Sequence, residues 1–229
     1  MSGQLGYSMF QDVLFPISDV DPNGSSDHAL QLRRLKRFLP VPSHHVWNGS
    51  IVVFDFETTG LDPETDRIIE IGAIKLVNLK PVAEFSELVH TSIELTEDIV
   101  RLTGITSEML EGKPEIDDVL PKFLNFIEGS IIIAHNAEFD LSMLKASLSR
   151  IGIDLEWPVF CTLKMARDLL PDLERKNLDS LAQHYNLTFE ARHRAIGDIK
   201  VTVGVLNGML AKEAKHLTLW HHMQNYMVV

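Results

Sequence analysis

Alternating and clustered apolar positions predict three strands at the start of the most clearly patterned part of the chain. Residues 51–57 (IVVFDFE) begin apolar and β-branched and end at a Thr-Thr-Gly turn, as expected for a buried strand. Two further strands are predicted over 67–77 and 83–90, with turn residues between them. Because the connections are short, these strands should form an antiparallel meander.

A spacing of three to four residues between apolar positions replaces this alternation after residue 115. It predicts helices over 116–127 and 137–151, on either side of a short apolar strand at 131–134. Shorter helices are expected near 162–170 and 178–185. A last long helix has one apolar face, made of Ile196, Ile199, Val203, Leu206 and Leu210. Strands followed by alternating helices and strands predict an α/β domain with a mixed sheet.

The first 48 residues differ in pattern from the rest, and we interpret 1–48 as an appendage. A turn-rich linker at 19–27 precedes a short amphipathic stretch at 29–39, which carries four basic side chains and ends at prolines. The domain proper is expected over 49–211, followed by a helical tail over 212–229.

Charge and cysteine content narrow the classes of protein to consider. The 229 residues include 21 Lys and Arg against 32 Asp and Glu, a net charge of −11, which argues against coating nucleic acid by bulk electrostatics. A carboxylate site that brings phosphates to metal ions remains compatible with this charge. The single cysteine, Cys161, excludes an internal disulfide or thiolate metal cluster. No apolar run could cross a bilayer, and residues 1–10 lack a signal pattern, so we expect a cytoplasmic protein.

Asp55 and Glu57 are the first candidates for chemistry. Side chains two residues apart on a strand lie on the same face, whereas Phe54 and Phe56 should face the opposite way, into the core. Carboxylates on an apolar strand are costly unless a positive group meets them. From these two residues alone, a solvated pair of strand-end acids explains the pattern equally well.

Asp140 adds a third carboxylate in the first turn of the helix that follows the strand at 131–134. His135 and Asn136 lie where that strand leaves the sheet, a usual position for ligand contacts in α/β folds. A structural alternative makes Asn136 the N-cap and Asp140 a partner of the helix dipole.

His193 and Asp198 form the fourth element. Asp198 opens the last long helix, and His193 lies five residues earlier, flanked by Arg192, Arg194 and Lys200. These cations predict a local basic patch on an acidic protein. A histidine beside a carboxylate cluster is a candidate general base.

Three segments together resemble a known enzyme family. Residues 54–61 (FDFETTGL), 133–140 (IAHNAEFD) and 193–198 (HRAIGD) are similar to the three motifs of the DEDDh family of 3′→5′ exonucleases, which includes the proofreading epsilon subunit of bacterial DNA polymerase III. The resemblance covers about residues 50–210 and keeps the motifs in the family's order.

The resemblance implies a ribonuclease H-like fold, with a mixed five-stranded sheet flanked by helices. It also implies two divalent metal ions held by Asp55, Glu57, Asp140 and Asp198, and Mg²⁺ or Mn²⁺ suits such an all-carboxylate site. His193 would accept the proton of the attacking water. The implied activity is metal-dependent 3′→5′ exonucleolytic release of nucleoside 5′-monophosphates, in replication proofreading or repair.

The same resemblance implies contacts to single-stranded or 3′-frayed nucleic acid. The five residues expected to line the pocket of the terminal nucleotide are Thr58, Leu61, His135, Asn136 and Phe139. Stacking and backbone contacts tolerate any base, so little sequence preference is expected. The chain departs from the family's pattern at one position. In the loop between the meander and the helices, some relatives have a histidine where this chain has Thr103.

Two alternative functions stay open at this point. Nothing in the motifs separates DNA from RNA, so an exoribonuclease or a small-oligonucleotide phosphodiesterase would carry the same residues. A non-catalytic module that holds 3′ ends for a polymerase belongs to a different class. The loss of one carboxylate would have indicated such a module, and all four are present.

Gln11 to Phe15 (QDVLF) resembles the short Gln-x-x-Leu-Phe peptide with which bacterial replication proteins bind the sliding clamp. It lies in the appendage, where a partner could reach it, and so predicts a polymerase or clamp contact. The alternative is an apolar stretch that folds back onto the domain.

Overall fold

The computed structural model of the chain describes residues 46–153, 158–218 and 220–228, apart from the side chains of residues 220 and 221. The first half of this part contains a 3-10 turn (Val46–Asn48), β1 (Ser50–Thr58), β2 (Ile68–Val77), β3 (Lys80–Leu88), α1 (Glu97–Thr103), α2 (Ser107–Leu110) and α3 (Ile116–Ile127). The second half contains β4 (Ile131–Ala134), α4 (Ala137–Arg150), β5 (Val159–Cys161), α5 (Thr162–Leu169), α6 (Leu178–His184), α7 (Ala195–Lys212), α8 (Trp220–Met223), a 3-10 turn (Gln224–Tyr226) and β6 (Met227–Val228).

The strands form one mixed sheet in the order β3-β2-β1-β4-β5-β6. The expected antiparallel meander is confirmed, since β2 pairs antiparallel with both β1 and β3. Strands β1, β4 and β5 are parallel neighbours, so their carboxyl ends lie at the same edge of the sheet. None of the helices in the described ranges is long and apolar enough to cross a membrane.

Alternation along β1 divides the core into two layers. Ile51 and Val53 face the layer that contains α5, α6 and α7. Val52, Phe54 and Phe56 face the opposite layer, which contains α3 and α4. Both phenylalanines are buried there, as the sequence predicted, and each ring packs against the ring of Phe123 on α3. Asp55 and Glu57 therefore belong to the face of β1 that α7 covers.

Two sequence expectations need correction. The sheet has six strands in the described part of the chain rather than five, because Met227–Val228 pairs antiparallel with β5. The expected helical tail over 212–229 is interrupted after α7, since Ala214 and Leu217 turn back and are buried in the core beside that helix. A two-residue strand is too short to show alternation, so the sequence pattern could not reveal it.

The packed core also extends beyond the expected domain boundary at residue 49. Val46 and Trp47 are buried in the layer of α7, and the indole N–H of Trp47 donates to the carbonyl of Leu217. The residues just before β1 thus contact the residues just after α7.

Candidate active site

Three carboxylates from two elements meet beside the central strand. Asp55 and Glu57 lie on the face of β1 that α7 covers, and Asp198 lies in the first turn of α7. One carboxylate oxygen from each residue can be chosen so that all three lie within 4.8 Å of one another. Such a set of oxygen atoms could hold a metal ion.

A glycine on β2 lets α7 approach the sheet closely, and a glycine in the first turn of α7 lets the preceding loop pack against that turn. Gly72 lies directly opposite Asp55 in the antiparallel ladder, and a Cβ there would stand only 2.6 Å from the Cβ of Ala195. Within the first turn of α7, a Cβ on Gly197 would collide with the carbonyl oxygen of Ala191. The close approach of α7 to β2 at Gly72 brings the carboxylate of Asp198 near β1.

Asp140 approaches from the other layer. It lies in the first turn of α4, is buried, and accepts a hydrogen bond of 3.2 Å from the backbone N–H of Phe56, between Asp55 and Glu57. Burial raises the pKa of Asp55 most, and the negative charge of Asp140 is the next largest cause. Asp140 is thus next to the cluster, although its oxygens are not among the three grouped within 4.8 Å.

The carboxyl groups share an environment that disfavours their negative charge. Burial is the largest cause in each case: it raises the pKa of Glu57 to about 8, of Asp140 to about 7 and of Asp198 to about 6. Burial, followed by the charges of its three acidic neighbours, raises the pKa of Asp55 well above its ordinary value. Crowded, buried carboxylate oxygens fit a hard divalent cation, which would offset their repulsion.

His193 lies on the loop before α7 with an unusual backbone. Its φ is +57°, in the left-handed region that side-chain-bearing residues seldom adopt, and its backbone N–H donates to Asp198 at 3.3 Å. Burial and the positive charge of Arg192 lower the pKa of the imidazole. A neutral imidazole has one lone pair and could accept a proton.

Each basic side chain that flanks His193 is paired with a carboxylate, so the charge of the expected local basic patch is neutralised. Arg194 donates to the buried carboxylate of Glu70 on β2, with a shortest distance of 2.6 Å, and Lys200 pairs with Glu190 at 2.5 Å. Arg192 forms ion pairs with Asp179 on α6 and with Asp198. Asp179 and Glu70 lie in other elements, far from His193 along the sequence, so spacing alone could not identify these two partners.

Two of the five expected substrate contacts lie at the end of β1 and in the loop after it. Thr58 is buried, and its hydroxyl donates to the carbonyl of Gly60 at 2.6 Å. Leu61 lies in the next loop with 81% of its surface exposed. The Thr59 hydroxyl donates a hydrogen bond of 2.8 Å to the Asp66 carboxylate, which stabilises this loop. The exposed leucine is therefore presented on a fixed loop.

The other three expected substrate contacts follow β4, at the same edge of the sheet. The His135 ring hydrogen-bonds to the Thr162 hydroxyl at 2.9 Å, and its pKa is lowered to about 4 by burial and by the charge of Arg192. Asn136 occupies the N-cap position of α4 in a left-handed conformation, without a capping bond from its side chain. It is exposed, whereas Phe139 is half-buried.

Thr103, the departure noted in the sequence, has local hydrogen bonds. Its hydroxyl donates to the carbonyl of Ile99 at 2.9 Å and accepts from the N–H of Ile105 at 3.0 Å, so it shapes the end of α1. The clamp-like peptide Gln11 to Phe15 lies outside the described residues.

Comparison with known proteins places most of the domain in one family model. Residues 52–206 match the model described as Exonuclease (RNase_T). Similar curated proteins are DNA polymerase III PolC-type of Caldanaerobacter subterraneus, 43% identical over 164 residues, and of Clostridium perfringens, 41% identical over 173 residues. The matches cover 72% and 76% of this chain but 12% of each relative, so the chain spans a small part of their length.

Solved exonuclease structures share the fold. Exonuclease X in complex with 5′ overhanging duplex DNA is 26% identical with a TM-score of 0.59, over 70% of this chain and 91% of that one. E. coli exonuclease I in complex with a dT13 oligonucleotide is 16% identical with a TM-score of 0.65, over 74% of this chain and 42% of that one. These likenesses confirm the expected ribonuclease H-like exonuclease fold.

Proposed function

Because the chain belongs to the Exonuclease (RNase_T) family, we propose that it is a metal-dependent 3′→5′ exonuclease that acts on single-stranded DNA. The observation that carries this proposal is the set of three carboxylates, Asp55, Glu57 and Asp198, with oxygens within 4.8 Å of one another. Buried carboxylates this close together do not stabilise the fold, since their negative charges repel one another. Its geometry and oxygen donors suit metal-assisted hydrolysis of a phosphodiester.

We assign the four carboxylates Asp55, Glu57, Asp140 and Asp198 to two divalent ions, Mg²⁺ or Mn²⁺. When bound, such ions supply charge that activates a water molecule and stabilises the leaving 3′ oxygen. The lowered pKa of His193 supports its role as the general base, because it keeps the imidazole neutral near pH 7. Hydrolysis then forms a bond from water oxygen to phosphorus, breaks the bond to the 3′ oxygen, and releases a nucleoside 5′-monophosphate.

The five residues at the carboxyl ends of β1 and β4 form the proposed pocket for the terminal nucleotide. The exposed Leu61 would pack against the last base, and Thr58 would contact the same nucleotide. His135, Asn136 and Phe139 would complete the pocket. The low pKa of His135, about 4, supports an uncharged contact rather than a phosphate clamp.

A replication context is supported by the relatives, which are named DNA polymerase III PolC-type. We therefore propose that the chain acts on 3′ ends in the setting of a DNA polymerase. The contact of Gln11 to Phe15 with a sliding clamp remains a prediction. Substituting Leu14 and Phe15 by alanine in the full chain should abolish clamp capture, and equal capture by both proteins would contradict it.

Digestion of 5′-labelled single-stranded DNA and matched RNA tests the activity. With Mg²⁺ or Mn²⁺, we expect a ladder that shortens from the 3′ end of DNA, lost in EDTA and in Asp198→Asn, and kept in the exposed control Glu84→Gln. Immediate release of a labelled mononucleotide would instead show 5′→3′ action. Faster RNA digestion would favour the exoribonuclease, and binding of 3′ ends without cleavage would favour the non-catalytic module.

A further inference from the structure

Arg192 lies where the helix layer, the His193 loop and the carboxylate cluster meet. Its Nε and Nη2 donate to the two carboxylate oxygens of Asp179 on α6, at 2.9 and 3.0 Å. Its Nη1 forms an ion pair with Asp198 and lies 3.2 Å from Nδ1 of His193. The guanidinium also stacks over the ring of Phe189, 4.8 Å from its centroid. One edge of the guanidinium is thus anchored on α6, while Nη1 points at the proposed active site.

The contact with His193 has a chemical consequence. A guanidinium has donors only, so Nδ1 of His193 must accept from Nη1 with its lone pair. A neutral imidazole has a single lone pair, and therefore Nε2 carries the ring proton in this arrangement. The one basic site of His193 is then occupied by Arg192.

The contact with Asp198 has a parallel consequence. Nη1 brings a positive charge next to Asp198. The carboxylate of Asp198 is one of the three whose oxygens lie within 4.8 Å of one another. A divalent cation among the same oxygens would lie a few ångströms from that charge. A single and a double positive charge at such a distance repel enough, even at the dielectric constant of water, to weaken cation binding by roughly tenfold.

We propose that Arg192 is a positioning residue that serves as the internal counter-ion of the metal-free site, and that a divalent cation displaces its Nη1 from Asp198. The same movement frees Nδ1 of His193, so cation binding and exposure of the base are coupled. Asp179 keeps its two hydrogen bonds to Nε and Nη2, which gives the displaced side chain a fixed anchor. This inference rests on the proposed function, because it assumes that the carboxylates bind metal.

Calorimetric titration of the intact protein with Mg²⁺ alone tests the counter-ion role. Arg192→Gln should bind Mg²⁺ about tenfold more tightly than the original protein and should melt at a lower temperature without metal, since the carboxylates lose their counter-ion. Arg192→Lys keeps the charge and should bind almost as the original does. Lys215→Gln, an exposed charge beyond the end of α7, controls for net charge and should change neither quantity.

The Asp179→Asn variant distinguishes the counter-ion role of Arg192 from a purely structural role in linking α6 to α7. It weakens the anchor but leaves the positive charge beside Asp198, so it should not tighten Mg²⁺ binding. Equal tightening by Asp179→Asn and Arg192→Gln, or weaker binding by Arg192→Gln, would overturn the inference while leaving the proposed function intact. Absence of saturable Mg²⁺ binding by the original protein would overturn both.

The imidazole nitrogen chemical shifts of His193 in the unsubstituted protein give an independent measurement that no folding defect can obscure. Without metal, we expect the tautomer with the proton on Nε2, and addition of Mg²⁺ should change the shift of Nδ1 as its donor leaves. A proton on Nδ1 in the metal-free protein, or no change on adding Mg²⁺, would refute the contact and with it the inference.

Discussion

Neutralising Glu57 should stabilise the metal-free protein at alkaline pH. Glu57 is only 8% exposed and lies directly opposite Glu70 across the β1–β2 ladder. Burial first, and then the charges of Asp198 and Glu70, raise its pKa from 4.5 to about 8. The folded chain therefore holds this proton more tightly than the unfolded chain does. The stabilisation of the fold by this bound proton is complete below pH 4.5 and is lost as the pH rises through about 8.

The size of this effect follows from the two pKa values. The difference between 4.5 and about 8 corresponds to ~5 kcal/mol of unfolding free energy above pH 8. That figure is an upper limit, since the neighbouring carboxyl groups titrate together with Glu57 and share the repulsion. Glutamine has nearly the same shape and carries no charge, so Glu57→Gln should recover a large part of it.

Urea unfolding in EDTA between pH 5 and pH 9 measures the prediction. The original protein should lose stability across this range, and Glu57→Gln should lose less, with the difference concentrated between pH 7 and pH 9. Asp140 and Asp198, with pKa values of about 7 and 6, should still destabilise both proteins at the lower end. The exposed control Glu84→Gln should follow the original curve.

Addition of Mg²⁺ provides the complementary measurement. A cation among the carboxylates should restore stability to the original protein at pH 8 to 9, and less to Glu57→Gln, which has one ligand charge fewer. Stability that rises with pH in the metal-free original protein would refute the reasoning. So would an identical pH dependence in the original protein and Glu57→Gln.

Three further substitutions test how the site is assembled. Gly72→Ala should cost about 1–3 kcal/mol in urea unfolding, because the new Cβ would stand 2.6 Å from that of Ala195. Gly197→Ala should cost at least as much and should reduce the nuclease rate, because it pushes the backbone at Ala191 and hence the loop before α7; an unchanged rate would contradict this. Phe123→Ala should cost about 3–5 kcal/mol, since the buried ring packs against the rings of Phe54, Phe56 and Phe85. A loss below about 1 kcal/mol would contradict that packing.

Local periodicity was sufficient to predict where most elements lie and which way β1 faces. The alternation around Asp55 and Glu57 placed both carboxylates on one face, and the apolar spacing predicted α3 at the residues it occupies, Ile116–Ile127. Strands β5 and β6 are three and two residues long, and their position depends on neighbours in the sheet. Periodicity contains no information on such short segments.

Pairings across the fold could not be predicted in the same way. The motif that contains Asp198 identified a candidate carboxylate, but its meeting with Asp55 depends on the close packing of α7 against Gly72. Arg192 and Arg194 predicted a local basic patch, because their acidic partners on α6 and β2 are distant in the sequence. Charge spacing along a chain does not reveal which distant element will lie against it.

The ion pairs of Arg192 with Asp179 and of Arg194 with Glu70 explain how the strained backbone of His193 is held in place. A residue with a side chain at φ +57° persists only where its surroundings fix it, and His193 is fixed on both sides. Arg194 ties the loop to β2 through the buried carboxylate of Glu70, which also accepts the backbone N–H of Ala195 at 3.0 Å. Arg192 ties it to α6. The sheet and the helix layer thus determine the position of His193 jointly, and any change that separates them should move the proposed base and Asp198 together.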